Sequence, residues 1–121
     1  MKIVISGVGE MGSHLARMLS GSGHDITVID SDVKALDELK AMADLITIDG
    51  DTKALDEADN GADLITVEGD TTSFAVLRRA GVRRCDLFIA VNHDENQNIL
   101  AAIMAKQMGA KKSIARIDSS E

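Results

Sequence analysis

The chain alternates short apolar runs with longer segments of helical spacing. Six runs rich in Ile, Val, Leu and Thr, each bounded by glycine or polar residues, predict buried strands. They cover residues 2–6, 24–30, 44–49, 64–68, 85–91 and 112–117. Apolar residues three or four positions apart predict helices at residues 14–20, 33–42, 53–59, 74–80 and 98–108. This alternation predicts an α/β fold, a Rossmann-like doubly wound parallel sheet of about six strands.

A glycine-rich turn joins the first predicted strand to the first predicted helix. Gly7, Gly9 and Gly12 form the pattern G-x-G-x-x-G, and Asp30 ends the next strand 18 residues after Gly12. A strand, this turn, a helix, a second strand and an acid make the dinucleotide-binding fingerprint. Gly7 permits the tight turn, Gly9 lets a pyrophosphate approach the backbone, and Gly12 lets the helix pack closely. The alternative is a glycine turn in a doubly wound domain that binds no ligand.

The fingerprint also limits the ligand. The free N–H groups and the positive end of the helix dipole attract phosphates. Asp30 is placed to accept hydrogen bonds from the adenosine ribose and to repel a 2′-phosphate, which favours NAD over NADP. NAD(H) and ATP/ADP both place an adenosine and a pyrophosphate over this turn, so the sequence leaves both open.

Residues 34–52 and 53–71 form a tandem repeat. The two copies read KALDELKAMADLITIDGDT and KALDEADNGADLITVEGDT, and they differ at six of 19 positions. One helix–strand unit has therefore been duplicated, either recently or by engineering. We expect the second strand to pair with the first and to add one edge strand to the sheet. Two alternatives stay open: the copies compete for one position in the sheet, or the extra unit swaps into a second chain.

Composition excludes several classes of partner. A net charge of −7 and only two aromatic residues, both Phe, argue against nucleic acid and anionic membranes. The longest apolar run, residues 99–105, is too short to cross a bilayer, and the immediate start of a strand argues against a signal peptide. The single Cys85 fits a reducing, cytoplasmic compartment and a core position. A length of 121 residues predicts a single domain.

No set of residues points to catalysis or to a metal site. His93, Asp94 and Glu95 are adjacent in sequence and lack the spacing of a ligand set. A dehydrogenase would need a substrate domain and a general acid or base, for which His93 is the one histidine in a suitable place. Four arginines cluster at the C-terminal end of the helix predicted at residues 74–80, where a solvated helix end is favoured over a ligand-binding patch. They are Arg78, Arg79, Arg83 and Arg84.

Taken together, these residues resemble a known family, the N-terminal nucleotide-binding (RCK-type) domain of the Trk and Ktr potassium-uptake regulators. The matching pieces are KIVISGVGEMGSHLARMLSGSGHDITVIDSD and LITVEGDTTSFAVLRRAGVRRCDLFIAVNHDENQNILAAIMAKQMGAKKSIARI. They cover essentially the whole chain once one repeat copy is removed. Many dehydrogenases share the glycine turn, whereas the series from GDTT through LRRAG and CDLFIAV is much more specific.

The resemblance implies a cytoplasmic regulatory sensor, peripheral to the inner face of the membrane, that binds NAD(H) or ATP/ADP without catalysis. Such domains form homodimers or rings and gate a potassium-transporting membrane subunit. By family position, the expected cofactor-binding residues are Gly7, Gly9, Glu10, Met11, Gly12, Ser13, Asp30, Ser31, Asn92, Asp94, Asn98 and Arg116. The region 92–98 would line the far half of the site, and Arg116 would reach a phosphate.

The repeat leaves the adenine position open. Gly50 and Asp51 take it if the second strand is an outer addition, and Asp70 takes it if the first copy is looped out. The sequence also stops before the sixth strand and the C-terminal ligand domain of the family, which predicts an isolated, engineered fragment that retains nucleotide binding. The alternatives are a dehydrogenase cofactor domain and a scaffold that tests the duplication with an impaired site.

Overall fold

A computed structural model of the chain describes residues 1–49 and 64–117, the side chains of residues 43–49 excepted. Strands and helices alternate along the described part, as the sequence predicts. The strands are β1 (Lys2–Ser6), β2 (Asp25–Asp30), β3 (Leu64–Glu68), β4 (Leu87–Ala90) and β5 (Lys112–Ala115). The helices are α1 (Glu10–Ser20), α2 (Val33–Asp49), α3 (Phe74–Arg79), a 3-10 turn (Val82–Arg84) and α4 (Glu95–Met108).

The five strands form one parallel sheet in the order β3-β2-β1-β4-β5. Strand β1 is central, with Ile3 opposite Ile26 on one side and opposite Leu87 on the other. The order reverses beside β1, which is the arrangement of a doubly wound, Rossmann-like sheet. The predicted α/β fold class is therefore confirmed.

Two hydrophobic clusters cover the two faces of the sheet. Alternate residues of β1 point to opposite faces, so Ile3 packs with α1 and α2, whereas Val4 packs with α3 and α4. On the α2 side, Leu36 and Leu39 are buried. Cys85 belongs to the other cluster and is fully buried, which confirms its predicted core position. Burial raises the pKa of its thiol.

The two repeat copies adopt different structures. The sequence predicts a strand at residues 44–49, but these residues continue helix α2 as far as Asp49. The second copy supplies β3, which lies at the sheet edge as predicted but pairs with β2 rather than with a strand of the first copy. The described residues therefore hold five strands rather than about six. The helix predicted at residues 53–59, together with Gly50 and Asp51, lies outside the described residues.

The segment after β3 forms contacts that side chains following the first copy cannot all reproduce. The loop carboxylate of Asp70 accepts hydrogen bonds from the backbone N–H and the hydroxyl of Thr72, at 2.8 and 2.7 Å. Ser73 then caps α3, its hydroxyl accepting from Val76 N at 3.3 Å. The first copy is followed by Lys53 and Ala54, which lack the hydroxyl groups that Thr72 and Ser73 contribute. In the described residues only the second copy supplies a strand, as expected if the copies compete for one position, but residues 44–49 of the first copy are helical rather than looped out.

Two helices begin earlier than the sequence predicts. Helix α1 starts at Glu10, directly after the glycine turn, rather than at residue 14. Helix α4 starts at Glu95 rather than at residue 98 because Asp94 caps it, accepting from Asn96 N and Gln97 N. Within the ranges that the structure describes, no helix combines the length and the apolar character needed to cross a membrane.

Candidate functional site

A cleft of about 500 Å³ opens at the carboxyl ends of the strands. It lies between the loops that follow β1, β2, β3 and β4, where the strand order reverses and open α/β sheets bind their ligands. The lining residues are Gly7, Val8, Gly9, Asp30, Ser31, Asp32, Ala35, Gly69, Asp70, Thr71, Asn92, His93 and Gln97.

The three glycines of the turn meet different surroundings. Gly7 has a φ of +109°, and a Cβ there would lie 2.8 Å from Asn92 N. At Gly12 a Cβ would overlap the carbonyl oxygen of Gly7, so only glycine lets α1 start against the turn. Gly9 has an ordinary φ of −65°, and its Cβ would meet no described protein atom within 4 Å. The space over Gly9 is therefore open toward the cleft.

Helix α1 differs from the other helices in how its N-terminus is capped. In the described part of the chain, side chains cap the other three α-helices. Asp32 accepts from Ala35 N, Ser73 accepts from Val76 N, and Asp94 accepts from two amides. Gly9 occupies the N-cap position of α1 and has no side chain to offer, and α1 has no side-chain capping bond. The first-turn N–H groups of α1 therefore lie at the cleft without a side-chain acceptor. Such free N–H groups at a helix N-terminus can bind an anion.

Asp30 connects the glycine turn to the loop after β2. Its Oδ2 accepts from Val8 N and its Oδ1 accepts from Asp32 N, both at 2.8 Å. These two bonds fix the orientation of the carboxylate at the cleft wall. Each carboxylate oxygen retains a further lone pair that can accept a hydroxyl hydrogen of a ligand.

Asp70 lies on the loop after β3, at the wall of the cleft. The backbone N–H of Thr72, and then its hydroxyl, hold the pKa of the Asp70 carboxyl below its ordinary value. The side chain of Gln97, from α4, lowers this pKa further. Asp70 therefore carries a negative charge at neutral pH on the β3 side of the cleft.

A buried polar network lies under the glycine turn. The hydroxyls of Ser6 and Thr71 share a hydrogen bond, and Asn92 Nδ2 donates to Ser6 Oγ at 2.8 Å. Behind it, the buried Asn98 accepts from Asn92 N at 2.6 Å and donates to Asn92 O at 2.9 Å and to Arg116 O at 3.2 Å. The network ties the ends of β1 and β4 to the β3 loop and thereby shapes the cleft floor.

Of the thirteen expected site residues that the structure describes, six line the cleft. Those that line it are Gly7, Gly9, Asp30, Ser31, Asp70 and Asn92. Glu10, Met11, Gly12 and Ser13 lie in the first turn of α1, beside the lining set. Asp94 caps α4, Asn98 is buried behind Asn92, and the backbone of Arg116 contacts Asn98. Gly50 and Asp51 lie outside the described residues.

Sequence reasoning missed five lining residues. They are Val8, Asp32, Ala35, Gly69 and Thr71. Two kinds of signal could have found them. Val8 lies inside the glycine motif, and Gly69 and Thr71 flank Asp70 within the GDT sequence. Asp32 and Ala35 begin the helix that follows the acid at the end of β2, so they start at the same edge of the sheet.

Several proteins of potassium uptake are similar to this chain. It is 33% identical over its full length to the Trk system potassium uptake protein TrkA homolog of Archaeoglobus fulgidus, and covers 23% of that protein. It is 34% identical over 118 residues to the Trk system potassium uptake protein TrkA of Streptomyces coelicolor, matching 97% of this chain and 44% of that protein. The chain thus spans 23% and 44% of the length of these two relatives.

A solved structure supports the fold. The Kef CTD of Shewanella denitrificans, in an AMP-bound form, superposes with a TM-score of 0.65 at 16% identity, over 94% of this chain and 57% of that one.

The sequence pattern of the family described as the TrkA-N domain matches residues 3–52 and 34–121. The two matches share residues 34–52, the first repeat copy, and together span almost the entire chain. This chain belongs to the TrkA-N domain family.

Proposed function

We propose that the chain is the nucleotide-binding regulatory domain of a potassium uptake system and that its cleft holds an adenine nucleotide, either NAD(H) or ATP/ADP. The observation that carries the proposal is the uncapped N-terminus of α1 at Gly9, open to the cleft. A phosphate bound there would accept hydrogen bonds from the first-turn amides and interact favourably with the helix dipole. The names of the Trk relatives and the AMP-bound Kef structure support it.

The cleft suggests an orientation for the nucleotide. The phosphates would lie over Gly9, and the ribose hydroxyls would donate to Asp30. The adenine would then lie toward β3, beside Asp70, because this loop forms the wall beyond β2. Asn92 and His93 would line the far half of the site. The carboxylate of Asp30 would disfavour the 2′-phosphate of NADP.

We propose a sensing role rather than catalysis. A nucleotide shifts a conformational equilibrium only through a difference in its affinity for the two states. In this proposal the domain forms a homodimer or a larger ring at the cytoplasmic face of the membrane. The conformational change that the nucleotide causes there would gate a potassium-transporting membrane subunit. The Trk names of the relatives support this role.

A pair of alanine substitutions at the two ends of α1 tests nucleotide binding. Gly9→Ala keeps an ordinary backbone conformation and meets no described atom within 4 Å, but its methyl group occupies the space over the turn. We expect it to weaken the binding of NADH, ATP or ADP by about tenfold or more, a loss of about 1.4 kcal/mol. Isothermal titration calorimetry measures the affinities.

Gly21→Ala is the matched control. It lies at the other end of α1 with a φ of −67°, and its Cβ would meet only carbonyl oxygens at 3.5 Å. We expect wild-type affinity from this variant and weaker binding of NADP than of NAD by the wild type. Failure of the wild type to bind any adenine nucleotide would refute the proposal. Equal affinity of Gly9→Ala and the wild type would place the phosphates elsewhere.

A further inference from the structure

A second depression lies at the end of the sheet opposite to the cleft. It has a volume of about 510 Å³, and we call it the basic groove. Its lining residues are Lys2, Arg78, Gly81, Arg83, Arg84 and Met108. Lys2 begins β1, whereas the glycine turn of the cleft follows the last residue of the same strand. Four positive charges therefore converge here in a chain whose net charge is −7.

These four charges have no acidic partner in the part of the chain that the structure describes. The ion pair found there joins Lys111 to Asp86 at 3.1 Å, outside the groove lining. The side chains of Arg78, Arg83 and Arg84 are exposed. Like charges held close together repel each other, so an anion bound between them would be favourable.

The helix dipole accounts for only part of this arrangement. Arg78 lies in the last turn of α3, where a cation is favourable. Lys2, however, comes from β1, a separate element. Its ammonium group lies directly over Gly81, where a Cβ would overlap it, and Gly81 has a φ of +82°. The groove thus joins charges from a strand, a helix and a 3-10 turn around one glycine.

The side-chain chemistry and the volume of the groove indicate the class of ligand. Guanidinium groups present forked N–H donors that match phosphate oxygens, and several of them can share adjacent phosphates. A volume of about 510 Å³ is typical of a small-molecule site. We propose that the basic groove binds a small polyanion with two or more adjacent phosphate groups, at a site separate from the cleft. This inference does not depend on the proposed function.

Nuclear magnetic resonance on the ¹⁵N-labelled full chain tests the proposal, with inorganic tripolyphosphate as the probe. This probe has no adenine or ribose, so its position shows where phosphate alone binds. We expect the largest amide shifts at Lys2 and at residues 78–84. The double variant Arg83→Gln, Arg84→Gln should weaken binding roughly tenfold or more, because it removes two of the four positive charges that face the bound anion.

Lys34→Gln, Lys40→Gln is the matched control, since it removes two exposed charges of α2 and changes the net charge equally. It should bind tripolyphosphate like the wild type, and the arginine variant should keep wild-type NADH affinity. An equal loss of affinity in both double variants would mean general electrostatics and would overturn the site.

Three further results would overturn the proposal. They are amide shifts confined to residues 7–13, an absence of shifts up to millimolar probe, and tighter binding of a hexaglutamate peptide than of tripolyphosphate. The last result would assign the groove to an acidic protein segment.

Discussion

At the scale of single residues, the side chain of Asn98 hydrogen-bonds the backbone of two segments, at Asn92 and at Arg116, behind the cleft wall. Its amide oxygen accepts from Asn92 N, and its amide nitrogen donates to the carbonyl oxygens of Asn92 and Arg116. The side chain is 1% exposed, so water does not readily replace these bonds. Asn98 therefore holds Asn92 in place at the cleft wall, and in the proposed function it would act on a nucleotide only through Asn92.

We expect Asn98→Ala to lower the free energy of unfolding by about 2–4 kcal/mol, because it leaves buried backbone groups without partners. Urea denaturation measures the change. The control is Asn96→Ala, an exposed position on the same helix, for which we expect less than about 0.5 kcal/mol. Equal effects of the two substitutions would show that the bonds of Asn98 contribute nothing to stability.

At the scale of elements, Asp86 joins the starts of β1 and β5. One oxygen accepts from Lys2 N at 2.8 Å, and the other pairs with Lys111 Nζ at 3.1 Å, next to β5. The Lys2 amide, followed by the Lys111 side chain, holds the pKa of the Asp86 carboxyl below its ordinary value of 3.8. Such a carboxyl stabilises the fold above its unfolded pKa and loses that effect as pH falls through its folded pKa.

Asp86→Asn should therefore be less stable than the wild type at pH 7, and the difference should shrink below about pH 4 as the wild-type carboxyl becomes protonated. Urea midpoints measured at pH 7, 5 and 3 on both proteins test this expectation. A difference that is constant across this range would assign the effect of the substitution to packing rather than to charge.

The tripeptide Leu-Ile-Thr shows what the sequence could and could not predict about the elements. It occurs at residues 45–47, within α2, and at residues 64–66, within β3. Its β-branched pattern predicts a strand in both places, and pattern alone cannot decide which copy joins the sheet. Tertiary context distinguishes the two copies. One position beside β2 is filled by β3, and the second copy is the one that connects directly to Thr72 and Ser73.

The site residues were likewise predictable where the sequence pattern alone fixes their place, and not where tertiary context does. The glycine turn, Asp30 and Asn92 were predictable because their places depend on the order of strands, which the alternating pattern reveals. The sequence allowed Asp51 and Asp70 equally, because both follow a glycine after the same strand pattern. The caps Asp32 and Ser73 directly precede the predicted helix starts at residues 33 and 74 and are confirmed. The cap Asp94 was missed because a single Asp carries little signal until the start of the helix is known.

At the scale of the whole molecule, the repeat offers two deletions of equal length. Removing residues 53–71 keeps Leu39 in α2 and joins the first GDT directly to Thr72. Removing residues 34–52 puts Ala58 of the second copy at the position of Leu39, which is 2% exposed in the parent chain. Each deletion leaves one helix–strand unit for the one position beside β2, so both shortened chains should form the five-stranded sheet.

We expect the deletion of residues 34–52 to be less stable than the deletion of residues 53–71 by about 2–5 kcal/mol, the usual cost of replacing a buried leucine by alanine. Urea denaturation of both chains, with circular dichroism to establish the fold, measures the difference. Equal stability would mean that Leu39 does not decide between the copies. An unfolded 53–71 deletion would mean that residues 44–49 cannot serve as the edge strand.

Cys85 has a practical consequence for all of these measurements. It is the single cysteine of the chain, it is fully buried, and burial keeps its thiol protonated to a higher pH than usual. A thiol reagent can react only after the core around it opens and the proton leaves. The rate at which a reagent labels Cys85 therefore reports how often the core opens. The labelling rate of Cys85 can rank variants without introducing a new cysteine and can distinguish slow opening from weak equilibrium stability.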